Sequence, residues 1–176
     1  MRRVALMLVA VSVLGIGFTA GPASAATKPA KITTCKKDKN LNANIQAAFV
    51  TYFLGATTTD KMANIQDGAK VAPFSDEATA AAQASGQAGT ATTATYPVTI
   101  KATCDGKTAA TFTYDLALNV PKPITTPPSS GVGLNFAGDA ALVKGKWLIT
   151  PTTICDLIGA NPATPTLGAR CTAAVA

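Results

Sequence analysis

The chain has 176 residues, with 15 Lys and Arg against 9 Asp and Glu, and it contains no histidine. Without imidazole it lacks the commonest general base and the commonest metal ligand, and every Ser-His or Cys-His triad is excluded. A chain of this length buries roughly two-thirds of its unfolded surface in one core, so one domain suffices.

Arg2 and Arg3 precede an apolar run from Val4 to Phe18, and Ala23-Ser24-Ala25 is a small-residue cleavage pattern. Together they predict a secretory signal peptide over 1–25 and a product in the medium or the cell envelope. The run is short and Gly15, Gly17, Gly21 and Pro22 lie in it or just after it, which speaks against its being a transmembrane anchor, and no transmembrane segment is expected in the mature chain. Removing Arg2 and Arg3 from the 15 basic residues leaves 13 against 9 acidic ones, a net charge of +4. Twelve of the 13 are scattered lysines, with only Lys36-Lys37-Asp38-Lys39 dense and Arg170 the single arginine. That is no continuous basic stripe, so no nucleic-acid partner is expected.

Residues 26–39 form a polar lead and 40–176 the domain. Leu41, Ile45, Ala48, Phe49, Tyr52 and Phe53 recur at helical spacing and predict a helix over 40–56 with one apolar face. Thr59 is placed to cap a short second helix, with Asp60 in its first turn, Met62 and Ile65 inward and Gly68 as its stop. A third helix is expected after Pro73, capped by Ser75 and running to Ala84.

The period then changes to two. Tyr96, Val98, Ile100, Ala102 and Cys104 make one face of a strand, and Asp105-Gly106 signals a hairpin. The return strand carries Ala110, Phe112, Tyr114, Leu116, Leu118 and Val120 on one face and Asp115 on the other. Pro97 points to an edge strand or a bulge. Pro121 to Gly131 is a Pro-rich loop, Gly133 to Val143 a strand with a bulge expected at Gly138, and Lys144-Gly145 a turn into Lys146–Thr150. Residues 155–171 read as a Pro- and Gly-rich tail.

Four cysteines in an exported chain imply two disulfides among three connectivities. The preferred pairing joins Cys155 to Cys171, holding the tail, and Cys35 to Cys104, tying the lead to the sheet. Their spacings suit no zinc site, and neither metal nor cofactor is expected. Helices followed by antiparallel strands predict an α+β domain with helices on one face of a curved sheet.

Several stretches resemble the mycobacterial low-molecular-weight antigen family of small exported actinobacterial proteins. They are Ile45-Gln46-Ala47-Ala48-Phe49 with Phe53, Thr59-Asp60-Lys61 through Asp67-Gly68, Ala140 through Trp147, and Thr153-Ile154-Cys155 with Cys171. The resemblance implies a fold like that of nuclear transport factor 2, a cone of helices against a bent sheet, and an exported protein; it transfers no catalytic residue. Folds of this shape leave a pocket between sheet and helices, and Tyr52, Tyr96, Phe112, Tyr114 and Trp147 are candidates to line it. There they would receive a small apolar ligand or an envelope protein, against the plainer alternative that they fill the core. The competing function is an isomerase or dehydratase using a carboxylate base, with Asp115 or Asp139 as candidates. Ser75, Ser85, Ser129 and Ser130 lie in no nucleophile elbow, and phosphate-loop and dinucleotide fingerprints are absent. The expected function is therefore non-enzymatic.

Overall fold

A computed structural model describes residues 32–85 and 92–176. The expected signal peptide and residues 26–31 lie outside the described residues, as do 86–91. No described helix is long and apolar enough to cross a membrane. The described residues belong to one compact unit, Lys31–Ala176, an α+β fold of helices around a strongly curled antiparallel sheet.

A 3-10 turn at Cys35–Lys37 leads into α1 (Leu41–Leu54), α2 (Thr58–Met62) and α3 (Gly68–Ala84). Strands β1 (Thr93–Cys104), β2 (Ala109–Pro121), β3 (Phe136–Val143) and β4 (Lys146–Ile149) follow, then α4 (Pro151–Ala160) and α5 (Pro165–Val175). The sheet order is β1-β2-β3-β4, with every pair antiparallel. Pro97, which cannot donate to a ladder, thus sits on an edge strand, and its carbonyl accepts from Gln46 of α1. The other edge is covered: Ile65 bridges Ile149, and Gln66 donates to the Ile149 carbonyl. Lys144 and Gly145 both have positive φ, as a two-residue type I′ turn between right-twisted strands requires.

The aromatic face of α1 lands as its spacing predicts. Phe49 is fully buried and meets Tyr114, Phe112 and Phe53 edge-on at centroid distances of 4.7, 5.7 and 5.2 Å. Both disulfides join the expected partners, Cys35 to Cys104 and Cys155 to Cys171. The first reinforces a lead that is already part of the fold. Cys35 donates its N–H to Lys107, Ile32 packs on the core, and Asp38 accepts from Asn44 and from the Trp147 indole.

Several expectations are corrected. The cap of α2 is Thr57, in a reciprocal capping box with Asp60 that satisfies two orphan donors, and not Thr59. Helix α3 begins at Gly68 and runs through Pro73, so Gly68 is no stop and Ser75 lies buried inside the helix. Its start is set by Asp67 in the left-handed region and by the pairing of 64–66 with β4. The tail is two helices, because Pro151 and Pro165 each occupy a first helical position, where a missing N–H costs nothing. The two helices cross where Gly159 meets Gly168; a Cβ on Gly168 would strike the Gly159 backbone. Gly138 forms no bulge but pairs regularly with Phe112. It lacks a side chain because a Cβ there would lie under 3 Å from Thr153 of α4 and the Phe112 ring.

The strand faces also change along their length. Between Thr99 and Lys101 the register slips, so one extra β1 residue inverts the alternation. Ala102 and Cys104 consequently face the main core, while Tyr96 and Val98 join Ala117 and Val120 in a second cluster. A further slip lies between Ala94 and Tyr96, opposite Asn119, whose φ is +55°. It turns Leu118 outward to 49% exposure, whereas Asp115 and Ala117 are buried.

Candidate functional site

These bends leave one end of the fold open. The C-terminal end of α1, the flank of α3, the start of β1, the far end of β2 and the C-terminal end of α4 surround a pocket of about 1130 Å³. That is slightly larger than ordinary small-molecule sites. Tyr52, Leu116, Phe136 and Ile158 form much of its apolar wall, and Ile124, from the Pro-rich loop, closes one side while packing on the second cluster. Leu54, Leu118 and Leu134 stand at its border 38%, 49% and 54% exposed. Lys61 and Lys122 are the charged residues of the lining, which holds no carboxylate.

Of the five aromatics expected here, Tyr52 lines the pocket. Buried Ser75 of α3 donates its hydroxyl to the Tyr52 Oη at 3.3 Å. Burial raises the Tyr52 pKa, the Ser75 bond lowers it, and the negative charge of Asp76 raises it, with a net upward shift. The other four are placed elsewhere. Phe112 and Tyr114 are sealed beneath α1, because β2 presents them at the centre of the sheet where the Phe49 ring fills the space. The Tyr114 phenol is pushed well above the ordinary tyrosine range, chiefly by burial and then by Asp156 and Tyr52. Tyr96 belongs to the second cluster, a consequence of the inverted β1 face. Trp147 is buried and donates its indole N–H to Asp38 at 2.8 Å, beside a separate cleft of about 340 Å³ that also contains Asn44 and Lys146.

The carboxylate candidates do not line the pocket either. Asp115 is buried rather than on a wet polar face. It accepts the backbone N–H groups of Gly133, Leu116 and Leu134 at 2.6, 2.7 and 3.1 Å. Burial alone would raise its pKa, but the N–H groups of Gly133, Leu116, Leu134 and Val132 outweigh it and hold the carboxyl below the usual aspartate value. A base for neutral pH needs the opposite shift. Gly131 lacks a side chain for the same reason, since a Cβ would collide with that carboxylate. Asp139 is exposed on β3, where its backbone N–H and carbonyl are both engaged by the Thr153 hydroxyl.

Asp115 thus works as a clamp that shapes the loop carrying Leu134 into the pocket wall. Unbroken alternation hid the roles of Leu118 and Asp115; the one clue was Asn119, a residue type that tolerates positive φ. Among the described residues no group of three His, Cys, Asp or Glu gathers to hold a metal. No family model, no curated protein and no solved structure matches this chain.

Proposed function

We propose that this is an exported, non-enzymatic binding protein whose open pocket receives a small apolar ligand. One observation carries the reading. Of the five large apolar residues exposed among the described residues, Leu54, Leu118 and Leu134 border the same 1130 Å³ pocket from three different elements. Exposed apolar groups scattered singly need no explanation, but a convergent set around a cavity marks a place where something apolar is covered. Export is supported by the leader pattern of residues 1–25 and by two disulfides, which persist in oxidising compartments. The non-enzymatic reading is supported by the absence of histidine from the sequence, and by Asp115 being committed to backbone donors outside the pocket.

The test is a titration with N-phenyl-1-naphthylamine, a neutral apolar fluorophore, beside an Ala82→Trp variant that fills the pocket wall. Enhanced, saturable fluorescence in the parent protein and its loss in a folded Ala82→Trp protein are expected. Absence of binding, or binding unchanged by the tryptophan, overturns the reading. Mass spectrometry of protein recovered from culture medium checks the export step, with an N-terminus at Ala26 as the expected result.

A further inference from the structure

Resting on that reading of the pocket, we infer that its ligand carries an uncharged oxygen acceptor, a ketone or ester carbonyl, to which the Tyr52 hydroxyl donates a hydrogen bond. Tyr52 of α1 and Ser75 of α3 both line the pocket, and their hydroxyls have unequal roles. Ser75, 2% exposed, spends its proton on the Tyr52 Oη, so the phenol accepts there and keeps its own proton to give. Thr79 and Thr164, two more hydroxyls of the lining, are spent on the backbone carbonyls of Ser75 and Ile158. Asp76, whose charge reaches the phenol, accepts instead from Thr58. Among the described residues the Tyr52 proton therefore meets no acceptor, and the half-buried phenol keeps a donor that a ligand oxygen takes up. The donor is also preset. Phe53 holds the Tyr52 ring edge-on at a centroid distance of 5.3 Å and Ser75 holds its oxygen, so little ordering is left for binding to impose. Burial and the charge of Asp76 keep the phenol protonated, and that same negative charge disfavours an anionic head group beside it. Leu116, Phe136, Leu157 and Ile158 offer apolar contact to the rest of the molecule.

The experiment uses 2-acetylnaphthalene and 2-ethylnaphthalene, which share ring system and shape and differ in having a carbonyl oxygen or two hydrogens on one carbon. Calorimetric titration of the disulfide-bonded protein and of its Tyr52→Phe variant gives four affinities. Removing the hydroxyl is expected to weaken 2-acetylnaphthalene about fivefold, the size of one neutral hydrogen bond. Binding of 2-ethylnaphthalene is expected to be unchanged, which also reports that the pocket is intact. The Tyr52→Phe/Ser75→Ala double variant excludes a substitute bond from the freed serine, and the same selective loss is expected there. The infrared carbonyl stretch of bound 2-acetylnaphthalene is expected at lower frequency in the parent protein than in the double variant, a signature of the bond itself. Equal weakening of the two ligands, or a ketone affinity and carbonyl frequency that survive in the double variant, overturns the donor assignment and leaves the apolar pocket standing. Failure of both ligands to bind the parent protein overturns the pocket reading itself.

Discussion

The two ends of this fold are built from similar residues and differ in what closes them. At the sealed end Phe49, Phe112 and Tyr114 interlock edge to face under α1, and Trp147 is tied to Asp38 of the lead. At the open end Leu54, Leu118 and Leu134 border the pocket and are 38%, 49% and 54% exposed. Apolar content therefore does not separate core from site. What separates them is whether a second element arrives at packing distance; at the mouth the slip between Ala94 and Tyr96 turns Leu118 outward, and the loop held by Asp115 carries Leu134 to the border.

Substitution at each end breaks the comparison most directly. Phe49→Ala is expected to cost about 3–5 kcal/mol of stability, read as a lowered urea midpoint, because the surrounding rings cannot collapse into the space. Next comes the pair Cys155→Ser/Cys171→Ser, which releases a loop closed over a sequence separation of 16 and is expected to cost about 3 kcal/mol. Since α4 supplies Ile158 and Leu157 to the pocket wall, that variant should also weaken ligand binding, unlike the loss of Cys35–Cys104, which lies outside the lining.

Asp115 gives a pH signature for the mouth. Its folded pKa lies below the unfolded value, so the unfolded chain binds more protons in between, and the stability it contributes is present above about pH 4. That contribution should be lost as the pH falls through the folded value. In Asp115→Asn the difference between urea midpoints at pH 5 and pH 3 is expected to shrink, and amide exchange at Gly133 and Leu134 to accelerate. An unaltered pH dependence would show that the clamp contributes nothing. The smallest effect is expected at the rim, where Leu118→Ala should change stability by no more than about 0.5 kcal/mol while weakening binding of an apolar probe.

How legible each region was in the sequence follows the same division. The α1 face, the two strand-turn-strand signals and the cysteine pairing could be read because each depends on periodicity, on local turn chemistry or on where cysteines fall relative to those elements. The helices α4 and α5 are not expected from a tail read as Pro- and Gly-rich, although Thr150-Pro151 and Thr164-Pro165 are cap-and-first-turn sequences. Gly138, expected as a bulge, and Gly159 and Gly168 permit close approach, a property visible once the facing atoms are known. Strict alternation puts the Asp115 carboxylate on the wet face, and it is buried because the strand changes face along its length.

By itself, then, the order of residues determined the helical stripe, the strand order of the hairpins and the α+β class, all of which arise from contacts close along the chain. Only the tertiary structure decided which aromatics are core and which face a cavity, and that Lys61 and Lys122 share one mouth. Those outcomes depend on a one-residue slip between strands and on the distance between elements far apart in sequence. A change of one residue in register moves a side chain to the opposite face while leaving the pattern of residue types unaltered.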